Sequence, residues 1–186
     1  MDLMHNVDHA TTQMINGLAR SSPFFDAIMI WISAAGIPLL VLAVACQWWA
    51  KTDRQGTRHV LVGAGLSFLL GLALNQIILL FVDRVRPYVV GVTDLLTAPS
   101  LDPSFPSDHS TAAFAIAMTF AVNGMPRRAR WFGTAALVVA FSRVYIGTHY
   151  ASDVFGGALT GAFAAALVLF LYMRGTRLDR FITGIF

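Results

Sequence analysis

The stretch PSFPSDHSTAAFAIAMTF, residues 103–120, sets Ser107, Asp108 and His109 directly against an apolar run with no charge before Arg127. A helix this apolar is built to sit in lipid, yet its first residues are of the kind that bind anions and move protons. The reading that fits both halves is a membrane helix whose polar lip does chemistry at the bilayer edge. The rest of the chain supports it. The 186 residues are 56% hydrophobic and 12% charged, where soluble domains carry about 25% charged residues. The length allows one domain, 1–186. The net charge of +3 comes from short Lys/Arg clusters between apolar runs, which mark membrane topology rather than a nucleic-acid surface. Cys46, the sole cysteine, lies in an apolar run, so neither an intrachain disulfide nor a cysteine metal site is expected. The start, MDLMHNVDHATTQM, lacks the basic region and apolar core of a signal peptide.

A bilayer span needs about 20 apolar residues. Residues 27–50 (with Pro38 inside), 60–82 (with Asn75 as its one strongly polar residue) and 154–173 meet that length. Two shorter candidates are 109–125 and 131–148. Residues 3–19 are loosely amphipathic and read as an interfacial helix ended by Ser21-Ser22-Pro23. The expected fold is all-α: a polytopic membrane helix bundle of five transmembrane spans plus an N-terminal interfacial helix. Its parts are 1–23 as that helix, 24–173 as the bundle and 174–186 as a cytoplasmic tail.

Lys51, Arg54 and Arg58 form one basic cluster, Arg127, Arg128 and Arg130 a second, and Arg174, Arg177 and Arg180 a third. Five spans put all three on one side, which the positive-inside rule makes the cytoplasm. Segments 83–108 and 148–153 then face outward. Counted from Trp131, Arg143 lies about 18 Å up a hydrocarbon core about 30 Å thick, and His149 about 27 Å up. His109, counted from Arg127, also comes out at about 27 Å. An arginine at that depth is a functional-site hypothesis by default.

Three polar clusters should therefore meet at the outer edge: DRVRP (83–87), PSDH (106–109) and SRVYIGTHYASD (142–153). Arginines, a serine hydroxyl and a helix N-terminus suit a multiply charged anion such as phosphate. A histidine can attack phosphorus if a carboxylate holds its far nitrogen. His149 and Asp153, spaced i, i+4, suit that pairing on a helical turn. A second histidine, His109, is free to give a proton to the leaving oxygen. No metal and no other cofactor is called for, since arginines supply the positive charge.

These three motifs, RP, PSDH and SR-x5-H-x3-D in that order, resemble the signature of the type-2 phosphatidic-acid phosphatase family. The likeness is close over roughly 75–160. It implies that Arg86, Ser107 and Arg143 hold the phosphate. It further implies His149 as the nucleophile of a phosphohistidine, Asp153 as its orienting carboxylate and His109 as the general acid. Two departures stand out. Leu79 occupies the position where the family's first motif has a lysine, and Arg84 is the residue that could supply the missing charge. Asp108 replaces the glycine of Pro-Ser-Gly-His and is expected to pair with an arginine. Both features resemble the bacitracin-resistance branch, the undecaprenyl-diphosphate phosphatases. The implied partners are the bilayer and a lipid diphosphate, with no nucleic acid. The implied place is a bacterial inner membrane, with the site facing outward. Other readings are phosphatidylglycerophosphate or phosphatidate hydrolysis, phosphate transfer to another lipid, or a non-catalytic lipid-phosphate binder or transporter. The two histidines and their carboxylate speak against the last. Blander readings cover the remainder. His5 and His9 read as interfacial histidines, Gly157 and Gly161 as helix packing, Asn75 as an interhelical hydrogen bond, and Trp48, Trp49, Trp131 and Tyr172 as an aromatic belt.

Overall fold

The structure is a computed structural model that describes residues 3–185; Met1, Asp2 and Phe186, the ends of the expected domain, lie outside the described residues. The elements are α1 (Leu3–Asn16), α2 (Pro23–Ala45, continued by a 3-10 turn Cys46–Trp49), α3 (Arg54–Leu79), α4 (Asp108–Val122), α5 (Pro126–Tyr145), α6 (Ala151–Leu171) and α7 (Arg177–Thr183). No strand occurs among the described residues. Pro23 and Pro126 open α2 and α5, where the missing N–H has no intrahelical partner to lose.

Among the described residues, three helices are long and apolar enough to cross a membrane: Pro23–Trp49, Arg54–Leu79 and Ala151–Leu171. The other two expected spans differ for separate reasons. Helix α4 has only 15 residues, and it lies at the centre, packed against α2, α3, α5 and α6. Its Ala113, Ala115 and Phe120 are fully buried by protein, so it needs little lipid-facing apolar surface. Helix α5 begins with Arg127, Arg128 and Arg130 and carries Arg143 near its end.

The two ends of the bundle differ in character. At one end the three basic clusters come together. Arg58 donates to the Thr183 carbonyl at 2.9 Å, Arg128 to the Thr57 hydroxyl at 3.4 Å, and Arg174 lies 3.6 Å from Asp53. The segment expected as a tail, 174–186, contains helix α7. Helix α7 packs on α3 through a buried Asp179, which bonds His59 at 2.8 Å and Tyr172 at 2.7 Å. Tyr172 is therefore buried in that cluster rather than standing in an aromatic belt. Beside this end, Phe120 and Phe132 stack at 4.7 Å within an apolar core that includes Leu40, Val60 and Ile116.

At the other end, the α3–α4 connection folds back over the bundle. Leu96 N–H donates to the Ile146 carbonyl at 3.1 Å, and Thr93 Oγ1 to the Gly147 carbonyl at 2.9 Å. The Phe105–Pro106 peptide is cis. Gly147 has φ +83, so the chain turns sharply between α5 and α6 at a residue with no Cβ to strain.

Helices α4 and α6 form the closest pairing. A Cβ on Gly157 would lie 2.5 Å from the Ser107 carbonyl oxygen. One on Gly161 would press on the Thr111 carbonyl and stand 2.7 Å from Ala115 N. The two backbones touch, as small residues in membrane helices allow. Asn75 of α3 also bridges to α4, donating to Asp108 Oδ1 at 2.6 Å and Thr111 Oγ1 at 2.9 Å. Gly161→Val should therefore destabilise the fold by about 1–3 kcal/mol through overpacking. Thermal unfolding in detergent checks it; a melting point equal to wild type would contradict the close approach.

Candidate active site

Between the middle of α2, the adjoining ends of α3, α4 and α5 and the overlying connection lies a cavity of about 520 Å³. Its walls carry Arg86, Asp108, His109, Arg143 and His149, with Ser33 and Ala34 from α2 and Gln76 and Leu79 from α3. Both histidines named from the sequence thus face one space.

His149 stands just before α6 begins and is almost wholly buried. Its Nδ1 lies 2.8 Å from the Ser104 carbonyl, which can only accept, so Nδ1 carries the hydrogen. Its Nε2 lies 3.4 Å from Arg86 Nη1, which can only donate. The two contacts fix one neutral tautomer, with the Nε2 lone pair turned to the cavity. Burial pushes the imidazole below its ordinary pKa, and the Asp153 carboxylate pulls the other way. The net effect keeps the ring neutral and nucleophilic.

Asp153 is fully buried. It accepts from Ser104 Oγ at 2.5 Å, Tyr150 N–H at 2.8 Å and Arg84 Nη1 at 2.6 Å. Its distance to His149 Nδ1 is 3.6 Å. The i, i+4 pair is therefore close but not directly hydrogen-bonded, because His149 precedes the first helical turn instead of lying on it. The Ser104 carbonyl takes the position expected for the carboxylate. Ser104 was legible only as a member of the quoted stretch, since a main-chain acceptor leaves no mark in side-chain chemistry.

The arginines divide by role. Arg86 is held by the carbonyls of Asp102 at 2.8 Å, Thr148 at 3.0 Å and Pro103 at 3.4 Å. Arg143 donates to Ser33 Oγ of α2, and its Nε is buried without a partner. Neither forms an ion pair among the described residues. Arg84 does not line the cavity. It turns to the far side of Asp153 and pairs with that residue and with Asp8, each at 2.6 Å. It supplies no charge where Leu79 stands in place of the family lysine. Asp108 lies at the cavity mouth, but its bond goes to Asn75 rather than to an arginine. Ser107 Oγ is fully buried and has no partner. The N-terminus of α4 opens beside it, with first-turn N–H groups free of intrahelical bonds. Ser33 was missed because one serine in an apolar span reads as ordinary helix packing.

Residues 60–177 match the PAP2 superfamily. The chain belongs to that superfamily. It is 34% identical over 173 residues to "Undecaprenyl-diphosphatase BcrC" of Bacillus subtilis (strain 168), a match covering 89% of this chain and 82% of that protein. It is 27% identical to "Putative undecaprenyl-diphosphatase YbjG" of Escherichia coli (strain K12), covering 86% of this chain and 79% of the other. A solved structure, a transmembrane PAP2 type phosphatidylglycerolphosphate phosphatase from Bacillus subtilis, superposes with a TM-score of 0.70 at 25% identity, covering 95% of this chain and 90% of that one. The PAP2 chain described here is thus a membrane lipid phosphatase, a hydrolase of phosphate esters.

The lone Ser107 hydroxyl gives a test. Removing a group with no protein partner costs the fold little. Ser107→Ala should keep its melting point within about 2 °C in phosphate-free buffer, yet gain less stability than wild type from added orthovanadate. Equal stabilisation of both by vanadate would remove Ser107 from the anion site.

Proposed function

We propose that the protein hydrolyses undecaprenyl diphosphate to undecaprenyl phosphate and phosphate at the extracytoplasmic face of a bacterial inner membrane. The carrying observation is the cavity itself. Two arginines without ion-pair partners among the described residues line the same space as both histidines, and the unpartnered Ser107 hydroxyl is buried between the lining residues Pro106 and Asp108. Guanidinium groups held by neutral acceptors keep charge for an anion, with Asp108 as a nearby carboxylate on the same cavity.

In the proposed reaction, Arg86, Arg143, Ser107 and the α4 N-terminus hold the terminal phosphoryl group. His149 Nε2 attacks its phosphorus. The bond from phosphorus to the bridging oxygen breaks, and protonated His109 gives that oxygen its proton, so undecaprenyl phosphate leaves. A water then loses a proton to His109 and attacks the phosphohistidine. The P–N bond breaks, its electron pair returns to Nε2, and phosphate departs. Asp153 stabilises the positive charge that His149 carries meanwhile. Asp108 sits at the mouth, where its negative charge, held by Asn75, bears on the orientation of the substrate.

In this reading α4 and α5 join the three longer helices as the fourth and fifth spans. Helix α1 lies in the interface, and its exposed Leu3, Met4, Val7 and Met14 meet lipid. The gathered basic clusters support a cytoplasmic end opposite the site. A second reading, phosphatidylglycerophosphate hydrolysis, is favoured by the structural likeness to a phosphatase of that lipid.

Two experiments test the proposal. Purified protein, with chelator present, should release phosphate from undecaprenyl diphosphate with a higher kcat/KM than from phosphatidate or phosphatidylglycerophosphate. His149→Ala should lower kcat by about 10³-fold or more and abolish the acid-labile, alkali-stable phosphoprotein. Faster turnover of phosphatidylglycerophosphate selects the second reading, and an active His149→Ala ends the assigned nucleophile. For orientation, in a Cys46→Ser background, Leu101→Cys should react with a membrane-impermeant maleimide on intact cells, whereas Lys51→Cys should not. The reverse pattern would invert the topology.

A further inference from the structure

Helix α1 is built the wrong way round for an ordinary bundle helix. Its apolar Leu3, Met4, Val7 and Met14 point outward, while its buried residues are the polar Thr12 and Asn16. What it offers the bundle is hydrogen bonding: Asn16 ties to Asp94 and Tyr145, and Thr12 and Asp8 are aimed at the start of α6. Thr12 Oγ1 accepts the Ala151 N–H at 3.0 Å, and Asp8 Oδ1 accepts the Ser152 N–H at 2.8 Å. These are the first two residues of α6, whose N–H groups have no partner within their own helix. His149 lies two residues before Ala151, so fixing the start of α6 fixes the histidine.

Asp8 does more than cap. Its Oδ2 accepts from Ser152 Oγ at 2.6 Å and from Arg84 Nη2 at 2.6 Å. Arg84 Nη1 reaches Asp153 Oδ1, also at 2.6 Å, and its guanidinium lies 3.9 Å above the Tyr150 ring. The planar fork is thus held at both tips and on one face. Asp153 is fully buried, and a buried carboxylate without a cation takes up a proton instead. Apart from His149 itself, Arg84 is the one cation within ion-pair distance of Asp153 among the described residues.

We propose that Asp8 and Arg84 are positioning residues for catalysis: Asp8 of α1 holds Arg84, and Arg84 keeps the Asp153 carboxylate ionised and aimed beside His149. The proposal rests on the reading of His149 as nucleophile and Asp153 as its supporting carboxylate. It extends the working site to a residue that lies outside the stretch matching the superfamily. Burial pushes the Asp8 carboxyl up, but hydrogen bonds from Ser152 and Arg84 outweigh it and hold the group below its usual range. Asp8 is therefore an anion wherever the enzyme works near neutral pH.

The test uses the full-length protein in detergent, on whichever of the three lipid phosphates wild type hydrolyses fastest. Asp8→Asn keeps the shape and removes the charge. It should lower kcat about tenfold, the size of one charge-assisted hydrogen bond lost, with KM within about twofold of wild type. Asp8→Glu should recover most of the loss. Because the two residues act in series, Asp8→Asn with Arg84→Gln should lose no more than Arg84→Gln alone. Wild-type kcat in Asp8→Asn, additive losses in the double variant, or an effect on KM alone would overturn the proposal. Should Asp8→Asn not fold, Arg84→Lys reads the same bridge, because a single ammonium cannot reproduce the fork. A lowered kcat at constant KM supports the bridge, and wild-type kcat overturns it. His149→Ala separates the two levels. If it is inactive while Asp8→Asn is fully active, only this inference fails. If His149→Ala is active, the underlying mechanism fails with it.

Discussion

The site depends on the contact of α4 with α6 through Gly157 and Gly161. Without side chains at those positions, the two backbones come close enough for Ser107 N–H to bond the Asp153 carbonyl at 3.1 Å and Ser110 Oγ to bond the Val154 carbonyl at 2.5 Å. Those bonds set the N-terminus of one helix against the N-terminus of the other. His109 is the second residue of the first and His149 just precedes the second. Two imidazoles distant in sequence then share a cavity because two glycines let their helices touch.

Charge is partitioned around that contact. Arg84 is neutralised twice over, by Asp8 and Asp153, and its work is internal. Arg86 is held by carbonyls and Arg143 by a single hydroxyl, which orient a guanidinium without cancelling its charge. The first arrangement stiffens a support, and the second leaves attraction for an incoming anion. Ser107, buried and unpaired, fits the second group.

The sequence carried most of the fold and part of this division. Long apolar runs announced α2, α3 and α6. Helix α4 was harder to read because its neighbours cover it, so its length and hydropathy obey a protein interior more than a bilayer. The motifs set Arg86 and Arg143 apart as phosphate holders, but Arg84 was read only as a substitute for the missing lysine, because the deciding carboxylate, Asp8, lies 76 residues away. The spacing of His149 and Asp153 suggested a helical turn, but α6 starts at Ala151. That shift of register hands the Nδ1 hydrogen to the Ser104 carbonyl. The role expected of Asn75, a bond between helices, needed only an isolated amide in an apolar span, and the structure has it.

The inverted polarity of α1 couples the enzyme to its surroundings. A helix that gives its polar side to the protein and its greasy side to the outside is seated by whatever covers that greasy side. On the proposed interfacial placement of α1, the headgroup layer would do so and would press α1 onto the head of α6. On that reading solubilisation would act on turnover as well as on solubility, and the lipid would be in effect an outer wall of the active site.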